Sequence, residues 1–287
     1  MKKILLSVFA ILFFSVSSFA ATTTTTNWDS AAALKKVNTI GQKILKANSL
    51  PTQVEFKVSD EDHVNAYATI DKQVYVYKGL LEFVQDDTEL AAVISHELGH
   101  IINGHCARQT ILSAVMADVV SGATANTNLS DTSNIAQNLV SLKMSRNDEY
   151  EADITGAELM QNAGYNPLGM ISVLNKICEN SIDVFSTHPS GEKRLMNIYN
   201  YMVYVYPDLA KKTYNSDSYK AAYTVIKANR DKINKNEKTL SKHNKKMAKL
   251  KAKRAKALAK AKQSGTTGWD TSYAILKMMS TESQAQE

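Results

Sequence analysis

The segment His96-Glu97-Leu98-Gly99-His100 lies in a stretch, 87–103, whose apolar residues recur at helical spacing. On an α-helix, positions four apart differ by about 40° in azimuth, so both imidazoles face one point. Two neutral histidine nitrogens at this spacing suit a zinc ion, and a glutamate beside them can take a proton from water that the metal acidifies. The segment predicts His96 and His100 as metal ligands and Glu97 as a general base. The alternative is a surface pair of histidines.

A zinc ion bound by two histidines needs a third protein ligand, and the sequence offers two candidates. If the helix continued, His105 would lie about 140° from His100, which favours a packing role for His105. Glu149 and Asp153 are four residues apart and share one helix face. We therefore expect Glu149 to bind the metal and Asp153 to accept a hydrogen bond from a ligand histidine. The alternative for this pair is a solvated acidic helix face.

The flanking sequence predicts an α+β fold that is mainly helical, with a small antiparallel sheet beside the helix that carries the two histidines. The strands follow from alternation of polar and apolar residues, and a tight turn at Asp71-Lys72 joins the last two. The predicted strands are 53–58, 65–70 and 73–77. The predicted helices are 30–47, 87–103, 107–120, 134–142, 147–163, 167–178 and 191–205.

Charge divides the chain into an acidic body and a basic tail. The net charge is +6, but residues 22–210 carry 13 Lys/Arg against 22 Asp/Glu, and residues 211–262 carry 18 against 3. We predict a Lys-rich helical extension over 209–264 and a loose C-terminal tail over 265–287. The extension suits an anionic surface such as lipid headgroups. Two alternatives remain open, a mobile solvated extension and docking onto the acidic body, and no nucleic-acid partner is expected.

Residues 1–20 have the pattern of a signal peptide. Lys2 and Lys3 precede the apolar run 4–14, and small residues follow at the end of the segment. An uncleaved membrane anchor is the alternative, although the run is short for a spanning helix. The sequence therefore predicts export to the periplasm or cell envelope of a bacterium, with secretion as the second choice.

Only two cysteines are present, Cys106 and Cys178. This number excludes a structural zinc site of four cysteines. Outside the cytoplasm the two could pair, but the sequence does not fix their separation. A disulfide between them is left open.

Three motifs in order resemble a known family of enzymes. The first is His96 to His100 followed by His105. The second is Ser145-Arg146-Asn147-Asp148-Glu149-Tyr150-Glu151-Ala152-Asp153, and the third is Thr187-His188-Pro189 with Arg194. Together they resemble the zinc metallopeptidase family of the CAAX prenyl endopeptidase and HtpX, in particular its soluble periplasmic members of the BepA and LoiP type. The resemblance covers roughly 50–205.

The resemblance implies a gluzincin-type zinc metallopeptidase core, placed at 28–208, with one Zn²⁺ per chain. It implies that Glu149 is the third ligand and Asp153 its support. His188 would lie near the metal, where it would steady an oxyanion or cap the zinc. Arg194 would hold a loop or a substrate carbonyl. The membrane helices of the prenyl endopeptidase are absent from this sequence, so a prenyl-protein substrate is not implied.

These residues predict an exported zinc-dependent endopeptidase that cleaves extended or misfolded envelope proteins. The alternative is a non-catalytic, zinc-stabilised chaperone or binding module. Substrate is expected to add a strand to the edge of Gln73–Tyr77. The segment 107–142 is long enough to cover the cleft as a lid or plug.

Overall fold

The computed structural model describes residues 28–50, 53–109, 144–180 and 191–263. Helices predominate, and the prediction of a mainly helical α+β fold is confirmed. The helices are α1 Ser30–Ala47, α2 Lys78–Phe83, α3 Asp87–Ile102, α4 Arg146–Asn162, α5 Leu168–Glu179, α6 Glu192–Val205, α7 Asp217–Asn234 and α8 Glu237–Gln263, with a short 3₁₀ helix at Pro207–Lys211. The strands are β1 Glu55–Ser59, β2 Ala66–Ala68 and β3 Gln73–Tyr77.

The sheet is mixed, in the order β1-β3-β2. β3 pairs parallel with β1 and antiparallel with β2, so the prediction of a purely antiparallel sheet is wrong for one of the two pairings. Alternation in the sequence identifies strands but does not fix their order, and β2 lies on the far side of β3 from β1. Because β3 is paired on both sides, it has no free edge. The expectation that substrate adds to Gln73–Tyr77 is therefore wrong.

Helix α3 lies between two hydrophobic clusters. One cluster joins it to α1 and the sheet, and the other joins it to helices α4 to α8. Its first turn is capped by Asp86, whose carboxylate accepts the backbone N–H groups of Thr88 and Glu89. Burial on nearly all sides explains why α3 carries apolar residues around most of its circumference.

Glycines let α3 and α4 approach backbone to backbone. A Cβ atom on Gly99 would lie 2.6 Å from the carbonyl oxygen of Ala152, and a Cβ on Gly156 would lie 2.9 Å from the backbone nitrogen of His96. Real Cβ contacts are not that short, so any other residue would push the helices apart. The close approach brings the residues predicted as ligands from the two helices within reach of each other.

Helices α7 and α8 form a hairpin that packs on the body. Tyr219, Ile226 and Met247 are buried in the same cluster as residues of α5 and α6. Of the alternatives considered for the basic extension, the structure therefore shows helices α7 and α8 packed on the body. Most lysines of the hairpin point to solvent.

Several predictions fall on residues outside the described part of the chain. They are the signal peptide 1–20, the helix 134–142, nearly all of the segment 107–142, the residue His188 and the tail 265–287. Within the described residues, no helix combines the length and the apolar character needed to cross a bilayer.

Candidate metal centre

His96, His100 and Glu149 converge on one point between α3 and α4. The two Nε2 atoms are 3.0 Å apart, His100 Nε2 is 3.3 Å from Glu149 Oε1, and His96 Nε2 is 3.6 Å from Glu149 Oε2. Ligand atoms held at about 2.1 Å from one tetrahedral ion would be about 3.4 Å apart. All three side chains are buried, His96 being the most exposed at 9%. The donor set and its spacing therefore fit one zinc ion.

Local sequence signals place these ligands. The spacing of four residues stacks the histidines on α3, as predicted. Helix α4 begins at a capping box, in which the Ser145 hydroxyl accepts the Asp148 N–H and the Asp148 carboxylate accepts the Ser145 N–H. Because the helix begins at this capping box, Glu149 lies in its first turn, where the helix dipole favours a negative charge.

Asp153 and Arg194 surround the ligands with a second set of contacts. Asp153 Oδ1 is 3.0 Å from His96 Nδ1, which is the contact predicted between this carboxylate and a ligand histidine. The Arg194 guanidinium donates to Asp153 through Nε at 2.7 Å and Nη2 at 2.6 Å, and its Nη1 is 2.8 Å from Glu149 Oε2. The structure thus places Arg194 against two carboxylates, a positioning contact that the sequence analysis did not assign.

Charge pairing sets the protonation of this group. Burial alone would raise the pKa of Asp153, but the charge of Arg194 and hydrogen bonds from Arg194 and His96 outweigh it, and the pKa lies below its ordinary value. Burial would lower the pKa of Arg194, but the charges of Asp153 and Glu149 raise it. The pair is therefore fully ionised at neutral pH.

Glu97 is buried at 3% exposure and lines a pocket together with His96. The rest of the lining is largely apolar and comes from β2, α2, α3 and α5, and Asp153 and Arg194 also contribute to it. A predominantly apolar pocket with a few convergent polar groups is the usual form of a ligand site. Glu97, predicted as the general base, therefore lies in the wall of this pocket.

His105 has a role that the sequence analysis missed. Helix α3 ends at Ile102, and Gly104 has a left-handed backbone with φ of +69°, so the chain turns back. His105 Nδ1 then lies 3.0 Å from His100 Nδ1. It does not join the three-residue ligand set. The helix was predicted to end before Gly104, as it does, but the angle of His105 was worked out only for a continuing helix, so this contact was not predicted.

The other ring nitrogen of His105 faces two carboxylates. Its Nε2 is 3.5 Å from Glu151 and 3.7 Å from Asp148. The contact with His105 lowers the pKa of Glu151 to about 2, against the opposing effect of burial and together with the charge of Lys253. His100, His105 and Glu151 therefore form a chain of polar contacts that leads away from the metal position.

Both cysteines are free in the structure. Cys106 is buried, and its thiol lies 3.5 Å from the carbonyl oxygen of Ala68. Burial raises the pKa of this thiol to about 12, and the charge of Glu97 acts in the same direction. Cys106 is therefore a protonated, inert thiol at neutral pH.

Two histidines four apart on one helix and a glutamate from a second helix define a gluzincin-type metallopeptidase core. The sequence matches the model of Peptidase family M48 over residues 31–202, and the chain belongs to this family. It is 30% identical to Metalloprotease LoiP of Escherichia coli over 175 residues, which is 57% of this chain and 68% of LoiP. It is 27% identical over 184 residues to the Beta-barrel assembly-enhancing protease of Yersinia pestis, covering 57% of this chain but only 38% of that protein.

Proposed function

We propose that the protein is an exported zinc-dependent endopeptidase that hydrolyses extended or misfolded proteins of a bacterial cell envelope. The observation that carries the proposal is the buried triangle of His96, His100 and Glu149, with Glu97 on the same helix beside an apolar pocket. The relatives named as metalloproteases support the same chemistry.

Few groups of the protein take part in the proposed reaction. His96, His100 and Glu149 would hold a zinc ion, which would supply the Lewis acidity that acidifies water and polarises a scissile carbonyl. Glu97 takes the proton from the attacking water and delivers it to the leaving amine. Asp153 holds the ring of His96, and Arg194 holds both Asp153 and Glu149, so the ligands keep one orientation. We further propose that His188 steadies the oxyanion.

The outer edge of β2, which pairs with no further strand among the described residues, is the proposed docking line for an extended substrate, and we place the contact at Ala66 because the Cys106 thiol already contacts the Ala68 carbonyl. Hydrogen bonds that flank β2 join Tyr77 N–H to the Asn65 carbonyl and Thr69 N–H to the Gln73 carbonyl. In an antiparallel pair, the backbone N–H and C=O groups of successive residues point alternately toward and away from the partner strand. The backbone groups of Ala66 and Ala68 therefore point away from β3. Ala66 also lines the pocket that contains Glu97. A chain added here would place its peptide bonds beside the general base.

This docking line is tested with Ala66→Pro, which removes one outward N–H group and leaves the bonds to β3 in place. We expect KM for an extended peptide to rise about tenfold, the equivalent of one lost hydrogen bond at about 1.4 kcal/mol. Ala68→Ser, on the same strand, retains its N–H group and serves as the control. An unchanged KM for Ala66→Pro would refute strand addition at β2.

The proposed location is the periplasm or another layer of the envelope, and the basic hairpin is its proposed contact with an anionic surface. Lys242, Lys245 and Lys249 are exposed on α8, and no acidic residue interrupts the sequence between Lys238 and Gln263. Lysines near an anionic bilayer attract it electrostatically. Co-sedimentation with phosphatidylglycerol vesicles should fall as salt rises, and binding that does not respond to salt would contradict the proposal.

Casein digestion by wild type and Glu97→Gln decides between a protease and a non-catalytic module. Glutamine keeps the size of the side chain but cannot accept the proton, so we expect kcat to fall by at least about 10³-fold with zinc content unchanged. Glu82→Gln, on the exposed surface of α2, is the matched control and should leave kcat unchanged. Equal digestion by wild type and Glu97→Gln would refute the role of Glu97 as general base, and no digestion by either protein with zinc bound would favour the chaperone alternative.

A further inference from the structure

We propose that α8, the Lys-rich helix of the C-terminal hairpin, braces the metal centre and holds the two ligand-bearing helices in register through Arg254, Asn103 and the His105–Glu151 pair. This inference rests on the proposed zinc site. It gives the extension a second role besides any contact with an anionic surface.

The first connection runs through the C-terminal end of α3. Asn103 caps that helix, and its amide donates to the Gly99 carbonyl at 2.8 Å and to the Thr155 hydroxyl at 2.9 Å. Gly99 lies next to the ligand His100 on α3, and Thr155 belongs to α4. One amide thus ties together the two helices that carry the ligands.

Arg254 of α8 orients that amide. Its Nη1 donates to Asn103 Oδ1 at 2.8 Å, and its Nε lies 3.7 Å from Glu158 on α4. The residue is 4% exposed, although every lysine described on the same helix is exposed or half-buried. A buried guanidinium loses its hydration, so the hydrogen bond to Asn103 and the ion pair with Glu158 are the contacts that favour this position of Arg254. Because Asn103 accepts through its oxygen, its NH₂ group is fixed toward α3 and α4.

The second connection runs through the chain of polar contacts behind His100. If Nε2 of His100 binds the metal, its Nδ1 carries the proton and donates to His105 Nδ1 at 3.0 Å. That arrangement leaves His105 Nε2–H facing Glu151. Lys253 of α8 forms an ion pair with the same Glu151. His105 is therefore a positioning residue for His100, and α8 supports it from outside.

The two connections differ in strength. Lys253 is 66% exposed at its side chain, so its pair with Glu151 contributes little in water. Arg254 and His105 are buried, so water cannot replace the contacts that they make. The inference therefore predicts a graded response, with large effects at His105 and Arg254 and a small effect at Lys253.

Zinc affinity of the metal-stripped full chain, measured by competition with a chromophoric chelator, tests the brace. Removing partners that support metal ligands costs about 10- to 100-fold in affinity. We expect His105→Leu to lie in that range, His105→Asn to recover part of the loss by restoring an acceptor, and Arg254→Met to weaken zinc about tenfold. Lys253→Ala should stay within about twofold. At saturating Co²⁺, the visible spectrum of Arg254→Met should differ from wild type.

Controls on the same helix separate positioning from stability. Lys249→Ala removes one exposed charge and should not change zinc affinity. Met247→Ala removes buried packing from the hairpin and should lower Tm while leaving affinity within about twofold. Asn103→Ala removes the Arg254 contact from its other side, so it tests the same connection if Arg254→Met does not fold.

The outcomes distinguish the proposed brace from the proposed zinc site. If Arg254→Met and Asn103→Ala bind zinc as tightly as wild type with an unchanged cobalt spectrum, the brace is refuted and the zinc site stands. If the wild-type chain itself binds no zinc, the proposed function fails first. Weakened binding by Met247→Ala equal to that of Arg254→Met would also refute the brace, because general loosening of the hairpin would then be the cause.

Discussion

The metal centre and the α7–α8 hairpin both depend on charged residues, but they place them in opposite environments. In the centre, Arg194 is 3% exposed and contacts Asp153 and Glu149, which are fully buried. In the hairpin, the side chain of Lys220 is 59% exposed in its pair with Asp217. Removing a buried partner leaves an uncompensated charge, whereas water replaces an exposed one.

This difference separates what each region does. Buried charges specify one geometry, because only that geometry satisfies all of them. Exposed charges set a surface potential and leave the fold almost unaffected. Arg254 is the exception among the charged side chains described in the hairpin, since it is buried and contacts the C-cap residue of α3. The comparison therefore predicts that mutational effects follow burial rather than residue type.

The largest expected effect is that of Arg194→Met. The substitution leaves Asp153 and Glu149 buried beside each other without a countercharge, so the free energy of unfolding should fall by about 3–5 kcal/mol. Urea denaturation of the metal-free chain measures it. Arg108→Met is the matched control, because Arg108 also pairs with an aspartate, Asp148, but is 58% exposed. A loss of less than about 1 kcal/mol is expected there, and equal losses in both variants would contradict the comparison.

The next effect concerns the distance between the ligand helices. In Gly99→Ala, the new methyl group meets the Ala152 carbonyl, so α3 and α4 must separate. We expect a loss of about 1–3 kcal/mol in stability together with at least tenfold weaker zinc binding. Gly169→Ala on α5 is the control, since its methyl group meets the Thr88 side chain and does not lie between the ligand helices. Isothermal titration with zinc should find its affinity unchanged.

Much of the centre could be predicted from the sequence. A spacing of four residues places His96 and His100 together on any helix, and the same spacing pairs Glu149 with Asp153. The capping residues near Asp86 and Ser145 mark where both helices begin. The prediction of Glu149 and not His105 as the third metal ligand rested partly on the resemblance of motifs, because spacing alone does not show which distant helix packs against α3.

The remainder could not be predicted, for reasons that are tertiary. Strand order is set by the packing of the sheet on α1 and α3, so alternation at β1 to β3 gave the strands but not the parallel pair. Gly99 and Gly156 are ordinary helix residues until the partner helix is known. Arg254 stands among ten other basic residues of α8, and nothing in that composition marks it as the buried one.

Acid should destabilise the metal-free chain through the buried pair. The pKa of Asp153 lies below its ordinary value of 3.8 in the folded state, so its contribution to stability is complete above pH values near 4 and is lost as pH falls through the lower, folded pKa. The free energy of unfolding should therefore fall with decreasing pH below about 4. In Arg194→Met this dependence should weaken, because the charge that depresses the pKa is gone. Chemical denaturation at several pH values between roughly 2.5 and 6 brackets this titration. It measures how the free energy of unfolding depends on pH in wild type and in Arg194→Met.

The smallest effect on the fold is expected where lysines are most numerous. The triple substitution Lys242→Gln, Lys245→Gln and Lys249→Gln removes three exposed charges, and Tm should not change measurably, since water solvates each of them. Binding to phosphatidylglycerol vesicles at low salt should nevertheless weaken by roughly fivefold per lysine. A triple substitution at Lys35, Lys46 and Lys72 on the body is the control for net charge alone. Equal loss of vesicle binding in the control would place the contact elsewhere, and a large drop in Tm for the α8 variant would show that its charges stabilise the fold after all.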